Sequence, residues 1–243
     1  MKTFYNRRNA LGLGLAALAA PALIKPSWAE DAPVLLELFT SQGCSDCPPA
    51  DRLAGELKGR PGLHVVSLNV DYWDYLGWRD TLGKAQYTQR QQEYARVRGD
   101  NEVYTPQMVI NGELHAVGSN RSAIEAAIAA ARGTLARRVP LSISVAGGSF
   151  SISVGQGDGS GTVWLMGVAA EVKVPIGKGE NSGANVTYHN VVRQLVAAGA
   201  WEGASKTFTV PRASLLMDDS RTCLAILQRG RVGQVLGLAS LTT

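Results

Sequence analysis

The chain has little cysteine and little histidine, with three residues of each among its 243. A disulfide-stapled secreted scaffold is therefore excluded, because such small folds need several cysteine pairs. A zinc site is not expected either, since no second ligand pair accompanies Cys44 and Cys47 and the histidines are scattered. Copper handling by the cysteine pair stays an alternative, although it lacks a recognisable histidine partner. We expect no cofactor and no resident metal.

Net charge is also absent once residues 1–29 are set aside. Four of the 24 Lys and Arg residues, and none of the 20 Asp and Glu residues, lie in that segment, so the remainder carries 20 of each sign. Nucleic-acid binding, which needs a basic surface, thereby loses its compositional support. The apolar run over residues 11–24 is too short to span a bilayer, so no membrane span is expected after signal removal.

Residues 1–29 have the pattern of an export signal. A basic start containing Arg7 and Arg8 precedes the apolar run, and Ser27-Trp28-Ala29 offers the small residues at which a signal peptidase cleaves. An arginine pair before a weakly hydrophobic stretch resembles a twin-arginine signal, and the ordinary secretion route stays an alternative. The sequence therefore predicts a periplasmic or secreted protein.

The most informative feature of the remaining chain is the C-x-x-C motif formed by Cys44 and Cys47. An apolar run at 34–39, typical of a buried strand, precedes the motif, and a helical pattern begins at Pro49. The start of a helix offers unpaired N–H groups and a positive dipole potential, which favour a sulfur anion. The motif thus indicates a reactive, reversible cysteine pair, with a purely structural disulfide as the alternative.

Two kinds of pattern divide the chain after the export signal. Residues 33–132 predict the order β-α-β-α-β-β-α, in which the strands at 34–39 and 64–70 are parallel neighbours. Residues 138–243 contain many short alternating strands with Gly-rich turns, which predict an all-β, sandwich-like domain. We therefore expect an α/β domain followed by an all-β domain, with the boundary near residues 133–139.

The order of elements, the C-x-x-C after the first strand and Thr105-Pro106 before the third strand together resemble the thioredoxin fold. This resemblance covers residues 33–132. The segments 40–51, 70–80 and 104–112 further resemble a family of secreted bacterial thioredoxin-like proteins whose function is not established.

The resemblance implies a role for each matching residue. Cys44 would be the attacking thiolate and Cys47 the resolving cysteine, with Thr105 and a cis Pro106 facing the disulfide and binding the substrate backbone. Glu37 matches, with a spacing one residue longer, the buried acid that moves protons for the resolving cysteine. The alternative is that Glu37 occupies an edge position and points to solvent.

Asp46 places a carboxylate between the two cysteines. A nearby negative charge opposes thiolate formation, and lower thiolate stability gives a less oxidising disulfide. Alternatively, Asp46 caps the helix that Pro48-Pro49 begins. Either interpretation predicts a moderate or reducing redox couple.

An aromatic loop follows the second predicted strand. If the first two strands are parallel neighbours, Tyr72, Trp73, Tyr75 and Trp78 lie at the same sheet edge as Cys44, where open α/β sheets bind ligands. These rings are predicted either to bind a polypeptide substrate or to pack the second domain against the first.

The remaining candidates are structural. Cys223 lies in an apolar strand and is expected to be a buried core thiol, and the alternative is a third redox partner for Cys44. A dense polar cluster is expected to form a hydrogen-bonded loop or a seam between domains: Asn181, Asn185, Tyr188, His189, Asn190 and Arg193.

The sequence thus predicts an exported thiol–disulfide oxidoreductase that acts on a protein thiol or disulfide and is served by an unknown redox partner. The alternative function is a non-enzymatic envelope binding or scaffold protein whose C-x-x-C is a structural disulfide.

Overall fold

The computed structural model describes Met1 and residues 33–133, 138–217 and 219–242. Residues 2–29 of the predicted export signal lie outside the described residues. The elements in chain order are β1 (Val34–Thr40), α1 (Pro48–Leu57), β2 (Leu63–Asn69), α2 (Ala85–Arg98), β3 (Gln107–Ile110), β4 (Leu114–Val117), α3 (Arg121–Gly133), β5 (Leu141–Ala146), β6 (Ser149–Val154), β7 (Gly161–Pro175), β8 (Asn185–Trp201), β9 (Lys206–Pro211), β10 (Ser220–Arg229) and β11 (Val235–Thr242).

The described part of the chain is mostly β, with a mixed sheet of eight strands in the order β11-β10-β7-β8-β2-β1-β3-β4. β1 and β2 are parallel neighbours, which confirms the prediction for these two strands. Among the described residues, no helix is long and apolar enough to cross a bilayer.

The strands of the two predicted domains meet in this one sheet. β8 joins β2 at the pair Ser67 and Val191, and two side-chain bonds reinforce the junction. Ser67 Oγ donates to the carbonyl of His189 at 2.9 Å, and Asn190 Nδ2 donates to the carbonyl of Val65 at 2.9 Å. The division into residues 33–132 and 138–243 stays a prediction, and residues 134–137 at its boundary lie outside the described residues.

β1 is buried on both faces, which explains its nearly continuous apolar sequence. Because side chains alternate along a strand, Leu36 and Leu38 face α1 and α3 in one core, whereas Leu35 and Phe39 enter a second core that includes α2. A third core lies beneath a separate three-stranded sheet, β5-β6-β9, which packs against β7 and β10.

Glu37 points to the α2 side of β1 and is fully buried, so the solvent-facing alternative is wrong. Arg90 on α2 donates from Nε to Glu37 Oε1 at 2.7 Å and from Nη2 to Oε2 at 3.2 Å. Tyr94 also donates to Glu37. Gln228 on β10 completes the cluster, since it accepts from Arg90 Nη2 at 2.7 Å and donates to Tyr94 at 2.8 Å. This network ties β1, α2 and β10 together.

Replacing Arg90 by Leu leaves the Glu37 carboxylate buried without its cation. We expect a loss of about 3–5 kcal/mol in the free energy of unfolding, measured by urea denaturation. The double variant Glu37→Leu/Arg90→Leu should recover much of that loss, because the remaining charge is gone. Arg96→Leu, the same substitution at an exposed position of α2, is the matched control. Equal stabilities of Arg90→Leu and Arg96→Leu would contradict the assignment of Arg90.

Candidate functional site

Cys44 and Cys47 form a disulfide between the end of β1 and the start of α1, with Cα atoms 5.4 Å apart. The turn is held by its own backbone, since the Cys44 N–H donates to the Ser41 carbonyl and the Cys47 N–H to the Cys44 carbonyl. Cys47 is the N-cap residue of α1 and Pro48 begins the helix, where a missing N–H costs nothing. The cysteine pair therefore lies at the helix N-terminus, as the sequence predicts.

The two cysteines are almost equally buried. Cys44 is 4 % exposed and Cys47 is 0 % exposed, so the residue with the predicted role of nucleophile is only slightly more accessible than its partner. Ser45 and Asp46 between them are exposed. The helix-capping alternative for Asp46 is wrong, because Cys47 occupies the N-cap position and no side-chain hydrogen bond caps the helix.

Thr105 and Pro106 lie beside the disulfide loop. The peptide bond between them is cis, which confirms the prediction. β3 begins directly after Pro106, and its first residue, Gln107, pairs with Phe39 near the end of β1. Trp73 links the two segments, because its Nε1 donates to Thr105 Oγ1 at 2.7 Å while its Cβ lies 3.0 Å from the position of a Cβ built on Gly43.

The aromatic loop divides between two surroundings. Tyr72 and Trp73 pack at the edge of the core under α2, and the Trp73 ring stacks on Tyr75 with centroids 6.4 Å apart. Tyr75 is 76 % exposed, which makes it the outermost ring at this edge. Trp78 instead packs with residues of β7 and β8, including Val174 and Val186. The loop thus offers an exposed ring, Tyr75, for the predicted substrate surface and a packed ring, Trp78, for the predicted interdomain packing.

The polar cluster predicted as a loop or seam contacts the first part of the chain at several points. Besides the bond from Asn190 to β2, His189 Nδ1 lies 2.9 Å from Lys58 Nζ just after α1. Asn181 in the connection between β7 and β8 donates to the carbonyls of Gln42 and Cys44. These contacts confirm a hydrogen-bonded seam, and they bring the connection onto the disulfide loop.

Two buried carboxyl groups behind the disulfide were not identified from the sequence. Asp51 on α1 is 2 % exposed, and its Oδ1 accepts from Thr40 Oγ1 at 2.8 Å, while Oδ2 has no hydrogen-bond partner among the residues that the structure describes. Burial raises the pKa of Asp51 from 3.8 to about 8, against the opposing bond from Thr40. The spacing was the signal available in the sequence: Asp51 follows Cys47 by four residues at the start of a helix, which puts both on one face.

Asp80 is the second buried acid and is hydrogen-bonded on both oxygens. Its Oδ2 accepts from the Gln42 N–H at 2.8 Å and from Asn69 Nδ2 at 3.0 Å, and its Oδ1 accepts from the Leu82 N–H at 2.8 Å. Burial raises the pKa of Asp80, and these bonds oppose the rise. Asp80 thus fastens the backbone just before Cys44 to the segment after the aromatic loop.

Cys223 lies on β10 in the third core and is fully buried. Burial raises the pKa of its thiol to about 12, which leaves it unreactive at neutral pH. The prediction of a core thiol is confirmed. Within residues 33–133, 138–217 and 219–242, no group of three or more His, Cys, Asp and Glu side chains is placed to hold a metal ion.

Fold and site together define a mostly β protein with a mixed sheet and a disulfide at a strand–helix junction. A family model described as "Protein of unknown function (DUF1223)" matches residues 35–228, and the chain belongs to this family. A protein from Agrobacterium tumefaciens with a known X-ray crystal structure is 32 % identical in sequence to this chain. The match covers 87 % of this chain and 95 % of that chain, with a TM-score of 0.75. HBP35 of Porphyromonas gingivalis is 13 % identical, and the match covers 87 % of this chain and 75 % of that chain with a TM-score of 0.57. This likeness concerns the fold alone. No curated protein matches the chain.

Asp51→Asn should change how stability depends on pH. The folded pKa of Asp51 is about 8 and the unfolded value is 3.8, so the folded state keeps a proton that the unfolded chain releases. The wild type therefore loses stability relative to the variant as pH rises from about 4 to about 8, by up to about 1.4 kcal/mol per pH unit. Urea unfolding at several pH values measures this difference. Asp46→Asn, at an exposed position, is the control, and parallel curves for wild type and Asp51→Asn would contradict the raised pKa.

Proposed function

We propose that the protein is an exported thiol–disulfide oxidoreductase whose residues 33–132 form a thioredoxin-like domain. The observation that carries the proposal is the Cys44–Cys47 disulfide at the start of α1, with Thr105 and Pro106 beside the loop. The order of elements from β1 to α3 supports the thioredoxin-like interpretation. The basic, apolar and small-residue pattern of residues 1–29 supports export to the periplasm or beyond.

In the proposed reaction, the Cys44 thiolate attacks one sulfur of a client disulfide and releases the other client sulfur as a thiolate. The Cys47 thiolate then attacks Cys44 Sγ in the mixed disulfide, which closes the Cys44–Cys47 bond and releases the second client thiolate. Two electrons pass from the cysteine pair to the client. The reverse sequence oxidises a client dithiol, and a separate redox partner resets the pair.

In this proposed reaction, Asp51 is our candidate for the group that accepts or donates the proton of Cys47. Residues four apart share a helix face, and helical side chains tilt toward the N-terminus, so the Asp51 carboxyl lies on the Cys47 side of α1. A pKa of about 8 is close to that of an ordinary thiol, which suits proton transfer between the two groups. Glu37 is engaged with Arg90 and Tyr94, so Asp51 replaces Glu37 as our candidate for the proton relay.

The burial of both cysteines favours a second candidate function, a non-enzymatic binding protein with a structural disulfide. Cys44 is 4 % exposed, and a client sulfur needs access to it from outside. The two functions differ in whether Cys44 forms a covalent bond with another molecule.

Cys47→Ala tests the proposal, because it removes the resolving thiol and leaves mixed disulfides unresolved. We expect covalent adducts of the variant with a peptide disulfide and with envelope proteins, released by a thiol reductant and mapped to Cys44 by mass spectrometry. Cys44→Ala is the matched control and should give few adducts. A Cys47→Ala chain that stays free of adducts would support the structural-disulfide alternative instead.

A further inference from the structure

The connection between β7 and β8, residues 176–184, reaches the disulfide from the strand-rich part of the chain. Asn181 at its tip donates both hydrogens of Nδ2 to the disulfide loop, to the Gln42 carbonyl at 3.0 Å and to the Cys44 carbonyl at 2.9 Å. The second acceptor is the backbone of the cysteine that we propose as the nucleophile. One side chain, more than 130 residues away in sequence, therefore holds the loop on both sides of Gly43.

The tip is held together by hydrogen bonds among its own residues. The Ile176 N–H donates to the Ala184 carbonyl at 2.9 Å, and the Gly183 N–H donates to the Ile176 carbonyl at 2.8 Å. Ser182 Oγ donates to the Gly177 carbonyl at 3.1 Å. These bonds define the position from which the Asn181 side chain extends.

The tip is also fastened to the first part of the chain by Trp78. A Cβ built on Gly177 would lie 3.2 Å from Trp78 Cζ3, and one built on Gly179 would lie 3.3 Å from Trp78 Cβ, so the tip packs closely on Trp78 and a larger residue would require a neighbour to shift. Trp78 Nε1 in turn donates to Gln42 Oε1 at 2.8 Å, next to one of the carbonyls that Asn181 holds.

Trp73 and Thr105 form a second set of contacts at the disulfide loop. There, Trp73 contacts Gly43 and hydrogen-bonds Thr105 beside Pro106. The loop is thus held both by the hairpin tip and by the Trp73–Thr105 contact, and of the motif only Ser45 and Asp46 are exposed.

We propose that Asn181 is a positioning residue that keeps Cys44 withdrawn under the β7–β8 tip, so that a docked polypeptide client reaches this sulfur in preference to small thiols and disulfides. The inference rests on the proposed function for its client, but the withdrawal of Cys44 is a property of the folded chain alone. A client that displaces the tip replaces the two Asn181 hydrogen bonds with its own backbone N–H groups.

The first measurement needs no client. In the Cys47→Ala variant, peptide mass spectrometry measures the rate at which iodoacetamide labels Cys44. The rate is compared between the chain that keeps Asn181 and the same chain with Asn181→Ala or Asn181→Asp. Losing two ordinary hydrogen bonds should raise the labelling rate roughly ten-fold. Asn181→Asp keeps the shape and also lacks the N–H donors, but its negative charge opposes the Cys44 thiolate, so it should label more slowly than Asn181→Ala. Asn185→Ala, the same substitution at the exposed first residue of β8, should label at the parent rate.

The second measurement uses the chain with both cysteines. Reduced protein is mixed with insulin, as a protein disulfide, or with the small disulfide dithiobis-nitrobenzoate, and the two exchange rates are compared. We expect Asn181→Ala to lower the ratio of the insulin rate to the small-disulfide rate at least about five-fold, chiefly because the small reagent gains access.

The outcomes separate this inference from the proposed function. Equal labelling of Cys44 in the Asn181 and Asn181→Ala chains, or an unchanged ratio of the two exchange rates, overturns the positioning role. If Asn181→Ala labels faster but the wild type exchanges with neither disulfide, the withdrawal of Cys44 is upheld and the proposed oxidoreductase function is overturned.

Discussion

The β7–β8 hairpin is the constraint on which the candidate site depends. Its strand β8 joins the first part of the chain through one residue pair with β2, and its connection ends on the loop that carries Cys44. Asn190, with φ of 47°, lies next to this junction, in a backbone conformation that asparagine tolerates better than most residues. Without the hairpin, Trp78 would lose its packing against Val174 and Val186, and the Gln42 and Cys44 carbonyls would lose their hydrogen bonds from Asn181.

Three buried acids show how surroundings give the same chemical group different properties. Glu37 meets Arg90 and stays part of an ion pair between β1 and α2. Asp80 accepts hydrogen bonds on both oxygens and serves as a fastening point for the loop before Cys44. Within the described part of the chain, one oxygen of Asp51 has no hydrogen-bond partner, and burial raises the pKa of this carboxyl so that it keeps its proton. Of the three acids, Asp51 alone combines a proton to exchange with a place one helical turn from Cys47.

Local patterns were sufficient to predict much of this structure. Apolar runs and turn residues place both ends of β1 and β2 and the start of α1 within one residue of their observed positions, and the cysteine spacing with Pro48 locates the disulfide. Long-range partners could not be predicted, because a sequence does not state which side chains meet. Glu37 gave no sign of Arg90 or of Gln228, and nothing local marks Asn181 as a partner of Cys44. The single pair between β2 and β8 is likewise too short to leave a pattern.

The central claim is that the Cys44–Cys47 disulfide opens and closes as part of the protein's function. Equilibration of the chain without residues 1–29 in glutathione buffers of stepped potential, followed by counting alkylated Cys44 and Cys47, tests this claim directly. We predict a reversible two-electron transition with a midpoint between about −270 and −180 mV, a moderate or reducing couple in keeping with the charge of Asp46. A disulfide that stays closed below about −300 mV, as structural disulfides do, would contradict the account.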